Sequence, residues 1–403
     1  MKESVPVGRP AHLRHTNVCT ILRLLREAGT CSRADLVRAS GLSAPTVTNV
    51  VGDLLEANLI KGLGEGESSG GRPPDLIRFR AERGCLLAVQ ITSVHLLFLL
   101  TDLSGIERET SIVSLEGQKT TPEAICHLIG IEIRSLLQRQ KIAREQLLLV
   151  VVAVPAIANV DQGIVVSVTS LENWRNVPLR ALLSRIIPCL VIVENDTNLA
   201  ALGERYRGAA RFEETFILIS VDANVSAGIV LSGKLHHGAQ WSAGEIGYLR
   251  LPQVSRKFPK LHAFGELESV LTSTAICNAW QQSASQHSKQ GELTSECLDI
   301  TGILSLAQSG DGRAGSIVNS RAAILSDIVI NLALILNPGL ILLAGEVGSH
   351  PAMLHAVQRE LEGSEFGVTR IASATLGERA VVWGAIAVAL EEIPMVLLPY
   401  PPT

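Results

Sequence analysis

Between Ser32 and Ala57 the sequence allows two short helices and forces a tight break between them, an arrangement few folds use. Ser32 is a good N-cap, and Asp35 three residues on makes a short-armed capping box. That helix must end at Ser40-Gly41. The turn Gly41-Leu42-Ser43 then leads into another helix from Ala44 to about Ala57, with Pro45 in its first turn, where a missing N–H costs nothing. Upstream, the apolar stripe Val18, Ile21, Leu22, Leu24 and Leu25 predicts a helix from about His15 to Glu27, stopped by Gly29. In the third helix Val47, Val50, Val51, Leu54 and Leu55 are expected to face inward. Ser43, Thr46, Thr48 and Asn49 are left outward near its N-terminus. Leu59–Phe79 alternates apolar and polar residues around GEGESSGGRPP and reads as two strands and the tip of a wing.

Three helices, a short turn and a wing predict a winged helix-turn-helix that binds double-stranded operator DNA. A small bundle for protein contacts is the alternative, and the small polar face and Gly-Arg-Pro wing argue against it. The outward face carries no Arg or Lys, so affinity must come from flanking cations: Arg14, Arg33, Arg38, Lys61 and Arg72. Asn49 is the one side chain there able to pair bidentately with adenine. Arg72 suits a narrow minor groove, a solvated linker arginine being the other reading. Charge agrees in sign: residues 1–82 hold 11 Lys and Arg against 9 Asp and Glu, on a chain of net charge −4.

At 403 residues the chain needs two or three domains. With 47% hydrophobic and only 3% aromatic residues, its cores must be built from Leu, Ile, Val and Ala. The longest apolar runs, such as Leu147–Ala158, look like strands and fall short of a membrane span. Met1–Pro10 is polar, so no signal segment is expected. Seven widely spaced cysteines fit a reducing cytoplasm and no disulfide framework. From Leu86 three strands follow one another, the third ending near Leu115. A helix from about Pro122 to Lys141 and the buried strand LLLVVVAVP come next, and a second such set opens near Thr215. Two α/β halves, each opening with a β-meander, predict an actin-like, two-lobed, sugar-kinase-like body.

The residues here resemble a known family. SRADLVRASGLSAPTVTNVVGDLLEANLI with GGRPP, then GIVVSVTSLENWRNVPL, VENDTNLAALGE, GKLHHGAQWSAGEIGYL and INLALILNPGLILLAGEV match in order the ROK family (repressors, open reading frames, kinases), specifically its repressor branch. The resemblance runs from Arg14 to Leu390. It implies a DNA-binding domain over residues 1–82, an N-terminal lobe over 83–198 and a C-terminal lobe over 199–403. A C-terminal helix near 381–393 is expected to pack back on the first lobe. It also implies a sugar site at Asn195, Asp196, Glu245 and Glu268, with Tyr248 where the family has His.

Departures from the family matter as much. The first phosphate loop, Asp-x-Gly-Gly-Thr in the kinases, is Gln90-Ile91-Thr92-Ser93-Val94. The second, glycine-rich in the kinases, is Asp222-Ala223-Asn224-Val225-Ser226-Ala227-Gly228. Phosphate cradles need bare backbone N–H groups, so no catalytic residue, cofactor or kinase activity is expected. The family's zinc cysteines are missing, and His262 alone cannot hold a structural zinc. Ala156 stands where the family has Gly beside the sugar. The expectation is a cytoplasmic homodimer or tetramer, away from the membrane, that represses carbohydrate genes and senses a small unphosphorylated sugar. A regulator that has lost sugar sensing and responds to a protein partner, and an active kinase with an accessory DNA-binding domain, are the competing readings.

Overall fold

A computed structural model describes residues 10–65, 74–168, 171–255, 257, 263, 265–287, 298–363 and 370–398. Helix α1 (Pro10–Ala28) begins ahead of the predicted His15 and buries Val18, Ile21, Leu22 and Leu25. It stops at Gly29, whose φ of 67° is left-handed. A short strand β1 (Thr30–Ser32) follows, which the sequence pattern does not reveal. In α2 (Arg33–Ser40) the capping box closes: Asp35 N–H donates to the Ser32 hydroxyl at 3.2 Å, and Ser32 N–H donates to Asp35 at 2.8 Å. Gly41, at φ 68°, ends it, and Ser43 caps α3 (Ala44–Glu56). Val47, Val50, Val51 and Leu54 are buried, but Leu55 is 37% exposed, against expectation. It lies about 100° round the helix from Leu54, on the rim of the apolar face. Strands β2 (Ile60–Glu65) and β3 (Asp75–Phe79) form the wing, with sheet order β1-β3-β2. The wing tip, including Arg72, lies outside the described residues.

The first lobe opens with the antiparallel meander β4 (Cys85–Ile91), β5 (His95–Asp102) and β6 (Glu107–Ser114). After α4 (Pro122–Arg139), β7 (Leu147–Val154) adds parallel to β4. The small sheet β8 (Ala158–Asn159), β9 (Ile164–Ser167), β10 (Arg175–Val177) and helix α5 (Leu179–Ser184) lead to β11 (Leu190–Asn195), parallel to β7. Both faces of β7 are covered, hence its unbroken apolar run. Helix α6 (Asp196–Arg207) leaves the sheet edge directly from β11.

The second lobe repeats the plan. β12 (Phe216–Val221), β13 (Val225–Leu231) and β14 (Lys234–Leu235) make a meander. Helices α7 (Glu268–Leu271), α8 (Ser273–His287), α9 (Ile300–Gln308) and α10 (Gly312–Leu336) follow. β15 (Leu340–Ala344) then adds parallel to β12. After α11 (Gly345–Gly348) and α12 (Pro351–Glu360), β16 (Arg370–Ser373) adds parallel to β15. The two sheets run β11-β7-β4-β5-β6 and β14-β13-β12-β15-β16, three antiparallel strands continued by two parallel ones in each. That duplication is the actin-like architecture.

The last helix, α13 (Ala380–Leu397), leaves the second lobe and packs on α6 and on β4, β5 and β7 of the first. Two glycines permit the α6–α13 crossing. A Cβ on Gly203 would lie 2.0 Å from the Ala380 carbonyl oxygen, and one on Gly384 1.7 Å from that of Leu199. The buried Glu204 carboxylate locks the same crossing, accepting N–H bonds from Thr375 (2.8 Å), Leu376 (2.7 Å) and Ala209 (2.7 Å). One correction follows from these helices. By length and composition α10 and α13 could each span a bilayer, contrary to the sequence reading; the apolar residues of α13 meet protein instead, 61% of its most apolar window being buried.

Gly384→Ala should lower stability by about 3 kcal/mol or more, because backbone cannot move aside as a side chain can. Gly52→Ala, on α3 with nothing within 4 Å of the new methyl, should instead stabilise by about 0.5–1 kcal/mol. Urea unfolding of both variants checks the pair; equal stability of Gly384→Ala and wild type would show that the helices do not touch through bare backbone.

Candidate functional site

The cleft between the lobes is floored by the junction of β11 and α6. Asn195 ends the strand and caps the helix: its Oδ1 accepts the Asn198 N–H at 2.9 Å, and its Nδ2 donates to the Ala156 carbonyl at 3.1 Å. The cap holds the next residue, Asp196, at the helix N-terminus, where one carboxylate oxygen accepts the Thr197 N–H at 2.7 Å. Thr197 is tied in turn to Ser226 of β13, hydroxyl to hydroxyl at 2.7 Å, so the two lobes meet through this turn.

The second lobe supplies the opposite wall. Glu268, the first residue of α7, accepts N–H bonds from Gly265 (2.6 Å) and Val225 (3.4 Å). Gly247 passes close beside it, since a Cβ there would meet the Glu268 side chain at 3.2 Å. Glu245 opens a single helical turn, Ile246–Tyr248, and the Tyr248 hydroxyl donates to the Ala263 carbonyl at 2.8 Å. All five predicted sugar-site residues, Asn195, Asp196, Glu245, Tyr248 and Glu268, line one pocket. Ala156, Ser167, Asn224, Val225 and Ser226 complete much of its wall, and no Lys, Arg or His lines it among the described residues.

Burial raises all three carboxyls of the cleft, and Glu245 is raised further by its neighbours. Burial pushes Asp196 up to about 6. Glu245 rises to about 7, first through burial and then through the charges of Asp196 and Glu268. Burial raises Glu268 as well, and its two N–H bonds partly offset the rise. At neutral pH the site thus holds a mixture of acceptors and carboxylic acid donors, the equipment for a polyol.

The kinase-loop positions take ordinary turns. Thr92 closes the β4–β5 hairpin, accepting the Val94 and His95 N–H groups and donating to the His95 carbonyl. Asp222 N–H bonds to the Asn224 carbonyl at 3.0 Å in the β12–β13 turn, and the Asp222 carboxyl is raised by burial and by Glu346. His262 and Cys297 lie outside the described residues.

On the winged helix, Thr48 and Asn49 are exposed on α3. Ser43 and Thr46 are engaged with each other, their hydroxyls 2.8 Å apart in the helix cap. Arg33 is half-buried in the first turn of α2. Arg14 pairs with Asp53 at 2.6 Å, and Arg38 pairs with Asp35. Exposed pairs of this kind are weak and are readily exchanged for phosphate.

Sequence reasoning missed two residues beside the pocket. Glu194 lies directly before the Asn-Asp pair, and its carboxylate meets the ring of His237 at 2.7 Å. A carboxylate near the end of an apolar strand run, and a His in the Lys-Leu-His-His-Gly stretch, were the available signals.

A winged helix on a duplicated α/β body with a carboxylate-lined cleft defines a class: DNA-binding regulators built on a sugar-kinase-like scaffold. The comparisons agree. A profile for the ROK family matches residues 87–392, and one for winged helix-turn-helix DNA-binding domains matches 19–61. The xylose repressor of Bacillus spizizenii is 23% identical over 388 residues, 94% of this chain and 96% of that protein. The crystal structure of a ROK family transcriptional regulator, a homologue of the E. coli Mlc protein, superposes with a TM-score of 0.80 at 22% identity, over 96% of this chain and 98% of the other. The structure of a Streptomyces griseus ROK family glucokinase in complex with glucose and AMPPNP matches 76% of this chain and 99% of its own, with TM-score 0.61 at 21% identity. The chain belongs to the ROK family, in its transcriptional-repressor branch.

The raised Glu245 fixes the sign of one pH effect. Below the ordinary carboxylate range it is neutral folded and unfolded, and costs nothing. As pH climbs from about 4.5 to about 7 the unfolded form ionises freely while the folded form resists, so stability falls. Glu245→Gln should be more stable than wild type at about pH 8, by up to about 3 kcal/mol, and equal to it near pH 4. Urea midpoints at the two pH values test this; a difference independent of pH would contradict it.

Proposed function

We propose that this repressor senses a small unphosphorylated sugar between its lobes and carries no kinase activity. The observation that bears most weight is the convergence of Asn195, Asp196, Glu245 and Glu268 on one cleft with no cationic side chain among the described lining. Such a wall accepts hydroxyl hydrogen bonds and repels a phosphate. The kinase reading is disfavoured because Thr92 and Asp222 fill turns that would have to offer bare N–H groups to phosphate. Without a phosphoryl donor opposite it, Asp196 is a hydroxyl acceptor, not a general base.

In this reading, Asn49 and Thr48 face the major groove while Arg33 and Arg72 supply phosphate or minor-groove contacts. Ser43 and Thr46 set the start of the recognition helix. Two copies of the chain read paired half-sites, as helix-turn-helix proteins do. Lobe closure on the sugar reaches the winged helix through α13, which touches α1 and the first-lobe sheet and whose first residue, Ala380, packs in the second-lobe core. For this the sugar must bind one lobe arrangement better than the other.

Asp196→Ala and Glu268→Ala should each weaken sugar binding by about 1–3 kcal/mol, while operator affinity without sugar is unchanged. Calorimetric titration with hexoses, pentoses and their phosphates, beside fluorescence anisotropy on operator DNA, makes the comparison. Tight binding of a sugar phosphate, or sugar-dependent ADP release from ATP, would overturn the reading. Asn49→Ala should cost about 1–3 kcal/mol at the operator and relax preference at one base pair. Unaltered operator affinity would move the recognition face elsewhere.

A further inference from the structure

Glu194 and His237 lie one layer behind the pocket and take no part in lining it. Glu194, in the first-lobe strand β11, is only 4% exposed. One of its oxygens accepts the backbone N–H of Asn195 at 2.8 Å and the side-chain amide of Asn198 at 3.0 Å. The other faces His237 Nε2 at 2.7 Å. His237 belongs to the second lobe, in the loop after β14. Its loop is anchored there by the His236 N–H on the Ile229 carbonyl (2.8 Å) and by the Ala243 N–H on its own carbonyl (3.1 Å). The bond therefore crosses the cleft, and it ends on the carboxylate that holds the Asn195 edge of the pocket.

We propose that Glu194 and His237 form a proton-loaded clasp between the lobes, with His237 the positioning residue that fixes the Asn195 edge when the lobes close on a ligand. The proposal rests on reading the pocket as a sugar site. Opening the lobes breaks this bond and leaves one oxygen of a buried carboxylate bare, which is costly unless water replaces the imidazole. A protonated imidazole makes that bond charge-assisted; a neutral one weakens it. The charges acting on the ring are acidic: Glu194 from β11, and Asp161 from the turn between β8 and β9. Glu194 first, by its hydrogen bond, holds the His237 imidazolium above its ordinary value. The sign follows. The clasp is at full strength below the ordinary histidine range and is lost as pH rises through the raised value. The pocket carboxylates act in the opposite direction, because ionising them makes better acceptors and tightens a polyol as pH rises.

The test uses the full-length protein and two probes, D-xylose and D-glucose. Between pH 6 and pH 8.5 the pocket carboxylates tighten the sugar and the clasp loosens it, so the affinity of wild type for whichever sugar binds should rise less with pH than the carboxylates alone would give. His237→Gln keeps a hydrogen-bond donor but cannot titrate. It should retain binding and show a severalfold steeper gain in affinity with pH, leaving only the carboxylates. An unchanged slope in His237→Gln overturns the clasp while leaving the sugar site standing. A second readout needs no sugar: NMR titration of the His237 ring should give a value above that of an ordinary histidine, returning toward it in Glu194→Gln. A ring that titrates at or below the ordinary value in both proteins also overturns the clasp. If neither sugar binds, the sugar reading falls and the ligand-linked role of the clasp with it, and the ring titration still decides whether the pair exists.

Discussion

The approach of bare backbone on bare backbone where α6 crosses α13 is the constraint on which the rest of the molecule depends. Gly203 and Gly384 leave no room for even a methyl, and Glu204 fastens the segment ahead of α13 to the end of α6. Helix α6 starts at the pocket floor, so the crossing fixes where Asn195 and Asp196 point. Helix α13 also covers β4, β5 and β7, so the same crossing joins the second lobe to the first. A pocket residue, a lobe interface and the last helix are thus mechanically one unit.

That unit reaches the DNA-binding domain through a defect in α13. Pro394 has no N–H, so the Leu390 carbonyl one turn earlier lacks its helical partner. Arg26 of α1 donates to that carbonyl at 2.8 Å, and its burial lowers the guanidinium's own proton affinity. Around this bond the apolar residues of α1 and α3 run into those of α13 as one continuous core. The winged helix is therefore seated on the body, not tethered to it, and a shift in α13 must be felt at α1.

Much of this was legible in the chain itself. The capping box at Ser32, the left-handed Gly41 and the Pro45 start carry their own local physics, and the helices form where they predict. The five pocket residues were found because each sits in a motif with a fixed order along the chain. Three things were not legible. Strand β1 is three residues long and exists only because β3 pairs with it, a contact that periodicity cannot show. Leu55 looked buried because helical spacing gives a face but not the position of its rim. The Glu194–His237 contact joins residues 43 positions apart on different lobes, and nothing local to either announces the other.

The measurement that bears most directly on the link from pocket to DNA is operator affinity with and without saturating sugar, in wild type and in Arg26→Met. Met keeps much of the apolar stem but cannot bond the Leu390 carbonyl. Both proteins should bind the operator and the sugar separately. In wild type the sugar should change operator affinity by about 5–150-fold, the usual range for coupled sites, and in Arg26→Met most of that change should vanish. A variant that responds to sugar as strongly as wild type would show that the signal does not travel through α13 and α1.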